Sequence, residues 1–232
     1  MSNDYFRFKQ FTVRQHRCAM KVGTDGTLLG AWARGGQRIL DIGTGTGLIA
    51  LMMAQRFPGA AITAVDIDSE AAAQAADNVS ASPFGTVSVV CGDIRSAQLP
   101  EAAFDAIVTN PPFFADSLVS PDAQRTAARH DSSLSYRDLM AAVRRLMASD
   151  GELSVVVPFD CRQRLESEAV LAGLFLVRQC AVRTTPRKPP RRYLLAFRRH
   201  PAPAVETTEG VIESQPGQRS TWYEELTKDF YL

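Results

Sequence analysis

The sequence predicts an α/β protein with a seven-stranded, mostly parallel sheet and helices on both faces. Three observations carry this. Short apolar runs alternate with longer segments of helical character between residues 38 and 199. The runs are continuous, as in ILDI at 39–42 and SVVVP at 154–158, which is the pattern of strands buried on both faces of a parallel sheet. Glycine, proline and aspartate sit at their ends, as in Pro58-Gly59 and Gly92-Asp93, where they break regular backbone.

Taken in order, residues 38–43 (Arg-Ile-Leu-Asp-Ile-Gly) read as the first strand, stopped by glycine. Gly47 to Phe57 has helical content, with Leu48, Leu51, Met52 and Ala54 apolar, and Pro58-Gly59 ends it. Ala61–Asp66 is the second strand. Asp68 or Ser69 is placed to cap a helix over Glu70–Val79, because a short oxygen-bearing side chain accepts from the free N–H groups of a first turn. Thr86–Cys91 and Phe104–Thr109 are the third and fourth strands. A helix is predicted over Tyr136–Ala148, a strand over Gly151–Pro158 and a helix over Arg162–Ala172. Phe175–Val182 and Tyr193–Phe197 close the set as strands.

Two flanks adjoin this 38–199 domain. Residues 1–37 form an extension with Phe6, Phe8 and Phe11 among Arg7, Lys9, Arg14 and Arg17, and the rings are expected to pack in a small sheet. Residues 200–232 open as a Pro/Ala linker and are expected to form a tail ending in an aromatic-rich helix.

Composition agrees with one domain carrying two appendages. The 232 residues are 45% apolar and 22% charged, which excludes disordered, collagenous and coiled-coil classes. A chain this long buries roughly 70% or more of its unfolded surface, so it needs no staples. Cys18, Cys91, Cys161 and Cys180 are scattered and, with His16, His130 and His200, give no metal-ligand spacing, so reduced thiols and no metal are expected. No apolar run approaches the ~18–20 residues of a membrane helix. Met1 to Tyr5 lack a basic stretch followed by an apolar core, and a soluble cytoplasmic protein is expected.

The first strand runs into Asp41-Ile42-Gly43-Thr44-Gly45-Thr46-Gly47. The spacing is G-x-G-x-G, unlike the G-x-G-x-x-G of dinucleotide sites, and no Gly-Lys-Ser/Thr follows to make a phosphate loop. A tight turn with close backbone approach, and an acid for an ammonium group directly or through water, suits a ligand without phosphate. S-adenosylmethionine (SAM) is such a ligand. Asp66, ending the second strand, is placed for its ribose hydroxyls, and Asp93, ending the third, for its adenine amine. Ile67 and Ile94 are placed to sandwich the adenine ring.

Asn110-Pro111-Pro112-Phe113 follows the fourth strand. Two prolines fix the backbone and remove two donors. What remains is a rigid row of acceptors, the Asn110 side-chain oxygen and the Pro111 carbonyl, followed by the flat face of Phe113. Such a row suits a planar substrate with an NH2 group. Gripping both hydrogens localises a lone pair that conjugation otherwise disperses, and the amine can attack a methyl group in line by positioning alone.

These two segments resemble the class I methyltransferases that modify exocyclic or amide nitrogen, with their Rossmann-like fold. Phe8-Lys9-Gln10-Phe11, the stretch Cys18 to Trp32 (CAMKVGTDGTLLGAW) and the ending Tyr223 to Leu232 (YEELTKDFYL) are more specific. They look like the bacterial tRNA (adenine-N6)-methyltransferase family acting on adenine 37, beside the anticodon, of a valine tRNA. The resemblance implies SAM as cofactor, S-adenosylhomocysteine as product and the anticodon loop as partner. It also implies that Lys21, Thr24, Asp25 and Gly26 cover the cofactor near its methionine end. Position 113 is Phe where many relatives carry Tyr, so stacking is kept and no proton-transfer role is assigned. Alternatives with the same Asn-Pro-Pro chemistry are a protein glutamine N5-methyltransferase and a ribosomal RNA guanine-N2 methyltransferase. A non-catalytic SAM- and RNA-binding protein is a third.

The formal charge is +1, from 26 basic and 25 acidic residues, yet its distribution is dipolar. Residues 178–204 carry eight Arg or Lys and no acid, whereas 205–232 carry six acids and two bases. The proline-stiffened segment between the last two predicted strands holds Arg187, Lys188, Arg191 and Arg192, expected to track RNA phosphates. Arg125, Arg129 and His130, after Phe113, lie where a substrate-gripping loop is expected.

Overall fold

The computed structural model describes residues 3–18, 20–112 and 134–232. Phe113, Arg125, Arg129 and His130 lie outside the described residues. The chain opens with a hairpin of β1 (Tyr5–Arg7) and β2 (Thr12–Arg14), then helix α1 (Thr24–Trp32). Next come β3 (Arg38–Ile42), α2 (Leu48–Arg56), β4 (Ala61–Asp66), α3 (Ser69–Ser80), β5 (Val87–Cys91) and β6 (Phe104–Thr109). After the segment that is not described follow α4 (Tyr136–Leu146), β7 (Met147–Pro158), α5 (Arg162–Leu171), β8 (Phe175–Arg183), β9 (Arg192–Arg198) and β10 (Glu206–Val211). A small hairpin, β11 (Glu213–Gln215) with β12 (Gln218–Arg219), leads to α6 (Thr221–Thr227).

The central sheet has the order β10-β8-β9-β7-β6-β3-β4-β5. All its pairings are parallel except those of β9, which runs antiparallel between β7 and β8. Both faces are covered, and the period of two inside each apolar run divides the core between them. Leu40, Ile107, Leu153, Val155, Leu195 and Phe197 pack with Leu139 and Val143 of α4. Ile39, Ala106, Val108, Val156 and Leu194 pack on the other face with Leu28 and Leu29 of α1 and with Ile49 and Met53 of α2. Asp68 caps α3, its carboxylate accepting from Glu70 N (2.9 Å) and Ala71 N (3.4 Å).

Several elements differ from the expectations: β7 begins at Met147, within the expected helix, the tail adds the β11–β12 hairpin, and two differences bear on the fold most. Among the described residues the sheet has eight strands rather than seven, and the extra one, β10, comes from the expected tail. Its sequence ETTEGV pairs in parallel with β8 at the sheet edge and buries little but Gly210. An edge strand half in water needs no apolar run, so none marks it. The other is α1, in the stretch expected to cover the cofactor, for which no helix is predicted. Three glycines (Gly23, Gly26, Gly30) argue against a helix there. Close packing supplies what propensity does not. A β-carbon on Gly30 would stand 2.7 Å from Met52 Sδ and 3.0 Å from Met52 Cβ, so α1 lies directly against α2. Arg56 then donates to the carbonyls of Gly30 (2.8 Å) and Ala33 (2.7 Å), completing the C-terminal end of α1 with a cation where the helix dipole favours one.

The flanks pack on each other beside α2. Phe8, Phe11 and Phe230 are buried with Leu48, Leu51 and Met52. Phe8 stacks on Phe11 at 4.8 Å and on Tyr231 at 5.8 Å, and Lys9 N donates to Phe230 O at 2.8 Å. The expected small sheet for the three phenylalanines is this hairpin.

Candidate active site

β3 lies at the switch point of the sheet, with β4 and β5 on one side and β6 and β7 on the other. In open α/β sheets a crevice forms beyond the strand C-termini at such a point. Here a cavity of about 510 Å³ opens there.

Its floor is the glycine turn. Gly43 and Gly45 have φ of +70° and +55°, and a β-carbon on either would meet nothing within 4 Å, so the turn presents bare backbone to open space. The turn is held from outside the space it lines. Gly43 N and Thr44 N donate to Val65 O at 2.8 and 3.0 Å, and Gly45 N donates to Asp66 Oδ2 at 2.7 Å. Asp66 Oδ1 accepts from Asp68 N at 3.0 Å. Each carboxylate oxygen keeps a second lone pair, so Asp66 can accept further hydrogen bonds at the end of β4.

Ile67 follows Asp66 at the cavity wall with 53% of its surface exposed, an apolar side chain lacking a cover. Ile94 also lines the wall but is buried in the core. Asp93 is gripped by Arg95, whose Nε and Nη2 lie 2.8 and 2.6 Å from Asp93 Oδ2. The Arg95 side chain and backbone hydrogen bonds hold the Asp93 carboxyl below the usual carboxylate range.

Asp41 and Gly47 stand behind the lining. Asp41 has no exposed surface and turns inward. Its Oδ2 accepts from Thr44 Oγ1 (2.6 Å) and Ala50 N (3.1 Å), bracing the turn against the first turn of α2. Its Oδ1 is buried without a hydrogen-bond partner among the described residues. Burial outweighs the two hydrogen bonds and pushes the carboxyl up to about 7. Gly47 caps α2 in the left-handed region (φ +81°), against Ala75 of α3.

The roof comes from the start of α1. Lys21, Thr24, Asp25 and Gly26 all line the cavity. Arg192 lines it too, and here the placement departs from the sequence reading. Its Nε is 2.8 Å from Asp25 Oδ1, so it points into the cavity while Arg187, Lys188 and Arg191 remain exposed on the β8–β9 turn. β9 starts at Arg192, and strand geometry decides its direction. Burial raises the Asp25 carboxyl and the Arg192 charge opposes that rise. Cys18, another lining residue without a signal in the sequence, has its thiol pushed up to about 11 by burial and by the Asp66 and Asp68 carboxylates. A thiol held neutral in this way is no nucleophile.

Asn110 and Pro112 line the far wall, and Pro111 is buried behind them. Thr109 Oγ1 donates to Ile42 O at 2.9 Å, tying the end of β6 to the end of β3. Asn110 Nδ2 faces Met20 Sδ at 3.9 Å. Asn110 Oδ1 is buried and has no partner among the described residues. A buried acceptor without a donor is uncommon and costs folding free energy.

The residues present therefore suit SAM: a bare-backbone cradle, a carboxylate at the second strand end, an uncovered isoleucine beside it and an orphaned acceptor across the cavity. Comparison with known proteins agrees. Residues 26–185 match the family model described as methyltransferase small domain. A tRNA1(Val) (adenine(37)-N6)-methyltransferase from Bacteroides thetaiotaomicron is 47% identical over 236 residues, covering 100% of this chain and 99% of that protein. One of the same name from Histophilus somni is 43% identical, covering 98% and 97%. Among solved structures, a predicted O-methyltransferase from Agrobacterium tumefaciens superposes with a TM-score of 0.64 at 20% identity, covering 89% of this chain and 96% of that one. TYW2 of M. jannaschii, in complex with AdoMet, gives 0.55 at 11% identity, with 83% of each chain covered. At such identities the two structures speak for the fold alone. With the family model and full-length relatives in agreement, this chain belongs to the tRNA1(Val) (adenine(37)-N6)-methyltransferase family.

Proposed function

We propose that the protein methylates N6 of adenine 37 in the anticodon loop of tRNA1(Val), with SAM as methyl donor, and that it works in the cytoplasm where that tRNA is used. The observation that carries the reading is the orphaned Asn110 Oδ1. It is a buried acceptor at the end of β6 with no donor among the described residues, and an exocyclic amine would supply one.

Bound SAM supplies an electrophilic methyl group. The chain supplies the rest. Asp66 takes the ribose hydroxyls through its free lone pairs, and Ile67 covers the adenine face. Asp93, oriented by Arg95, accepts from the adenine amine of the cofactor. Lys21, Thr24, Asp25, Gly26 and Arg192 close over the methionine end. Asp41 positions the turn from below. On the substrate, Asn110 Oδ1 and the Pro111 carbonyl accept the two amine hydrogens, and Phe113 stacks on the ring. The amine lone pair is thereby drawn out of conjugation and held available on N6. Placement does the catalytic work. The base reaches Asn110 only when turned out of its stack, and an unpaired loop makes that inexpensive. Arg187, Lys188 and Arg191 are exposed cations for phosphates, while Arg125, Arg129 and His130 are assigned to the substrate-gripping segment.

Incubating the protein with labelled SAM and separate tRNA, rRNA and protein pools from cells lacking the gene tests this. Label in tRNA that digests to N6-methyladenosine is expected. Label confined to protein glutamine or to rRNA guanine would overturn the substrate assignment.

A further inference from the structure

Across the sheet the strands run β5, β4, β3, β6, β7, β9, and the residues at their C-terminal side of the sheet change character along that order. Asp93 follows the first strand, Asp66 ends the second and the glycine turn follows the third. Asn110 follows β6. Beyond Asn110, β7 ends at Pro158, and the short turn Phe159–Cys161 comes next. Phe159 leaves 54% of its surface exposed.

One exposed ring is ordinary on a protein surface, but the surroundings of this one are not. Phe159 N donates to Arg191 O at 3.0 Å, which fixes the turn to the residue before β9. Tyr193 stands behind the ring, with centroids 6.2 Å apart and planes tilted by 35°. Tyr193 is covered in turn by the Arg162 guanidinium at 4.3 Å, which Glu166 holds at 2.6 Å. The Phe159 ring is thus braced on its inner side and open on its outer side. Arg187, Lys188 and Arg191 lie exposed on the adjoining β8–β9 turn, with no ion pair among the described residues. The acids nearby are Asp160, exposed beside the ring, and Glu166, held by Arg162. On the β10–β11 side of the turn are Glu209, paired with Arg183, and Glu213, whose N donates to Thr184 O at 2.8 Å.

The register locates this platform relative to the reacting centre. Thr109 pairs with Val155, so Asn110 stands level with Val156, and Phe159 comes three residues later, just past the end of β7. Strand spacing and rise then separate the two backbones by on the order of 10 Å. That is reach for the same RNA strand, without room for a second domain between them.

We infer that Phe159 is a stacking platform for an unpaired base flanking the methylated adenine, with the RNA backbone led over Arg187, Lys188 and Arg191. A ring open on one face beside unpaired cations is the combination that holds single-stranded RNA, where stacking adds to phosphate contact. An apolar protein partner would use the ring but leave the cations unmatched. This inference rests on the RNA substrate proposed above.

The test is fluorescence anisotropy with an unmodified stem-loop bearing the tRNA1(Val) anticodon, on wild type, Phe159→Ala, Phe159→Leu and Phe159→Tyr. Melting temperature and SAM affinity are measured for each. Loss of one stacked base weakens RNA binding by on the order of 10-fold. That loss is expected for Phe159→Ala and for Phe159→Leu alike, with Phe159→Tyr restoring wild-type affinity and SAM affinity unchanged throughout. A rise in the KM for stem-loop without a matching fall in kcat is expected in the methylation assay. If Phe159→Leu binds RNA like wild type, the ring is only apolar cover and the inference is overturned. Should Phe159→Ala fold poorly, the Tyr-against-Leu comparison still decides. A wild type that neither binds nor methylates the stem-loop, while methylating rRNA or protein, would overturn the substrate reading itself.

Discussion

Asn110→Ala separates catalysis from folding in opposite directions. In the free protein the Asn110 side chain gives little to stability. Its Nδ2 meets only Met20 Sδ at 3.9 Å, and its Oδ1 is buried without a donor among the described residues. An unsatisfied buried acceptor costs about 1–3 kcal/mol. Truncation to alanine removes that cost and loses a few van der Waals contacts, for a net gain of about 1 kcal/mol. For a chain of this length that is roughly 2–4 °C in melting temperature. Turnover moves the other way. Removing one preorganised hydrogen-bonding group from an active site costs about 10²–10³ in rate, or roughly 2.7–4 kcal/mol of transition-state stabilisation. SAM affinity should change little, because the glycine turn, Asp66 and Asp93 are the groups proposed to hold the cofactor. The assays are a thermal melt without ligand, SAM titration by calorimetry, and single-turnover methylation of tRNA at saturating SAM. A melting temperature several degrees lower would mean that Asn110 is a structural residue whose partner matters to the fold. Turnover within a few-fold of wild type would mean that the amine is not held there. Either result defeats the reasoning.

Three further outcomes follow from the same geometry. Asp66→Ala loses an acceptor that also pins Gly45 N, so SAM binding should weaken by about 10- to 100-fold, the worth of a hydrogen bond to a charged group; calorimetry showing unchanged affinity would remove it from the ribose. Gly30→Val should destabilise by about 1–3 kcal/mol through overpacking against Met52, and an unshifted melting curve would contradict the close α1–α2 contact. Asp41 has a folded-state carboxyl pushed up to about 7 against an ordinary 3.8. The folded protein therefore holds a proton that the unfolded chain gives up, and this group's stabilisation, full below about pH 4, declines as pH rises to about 7. Asp41→Asn keeps the shape and carries no such proton, so its urea midpoint should depend less on pH over that window; parallel wild-type and variant curves would refute the shift.

What could be read locally was readable in the sequence. β3, β4, β6, β7 and β9 each carry an apolar run dense enough to be buried on two faces, so their positions follow from the residues themselves. The glycine turn and the Asn-Pro-Pro segment are equally local, because backbone freedom at Gly43 and Gly45 and rigidity at Pro111 and Pro112 are properties of single residues. So is the Asp68 cap. The tertiary structure decided what depends on distant partners. α1 is helical despite its glycines because those glycines let α2 approach. β10 is a strand because β8 offers an edge, and its own polar sequence gives no sign of it. Arg192 belongs to a basic run, yet its side chain turns to Asp25 because β9 begins there and strand geometry sets the direction. Asp41 reads as an acid facing a ligand, but a fully buried carboxylate takes its donors from Thr44 and Ala50. Phe159 follows a strand with no local signal of its own, and its exposure beside three cations exists only once β7 and β9 are paired. Composition fixes which groups are available, while burial and register fix where each one points.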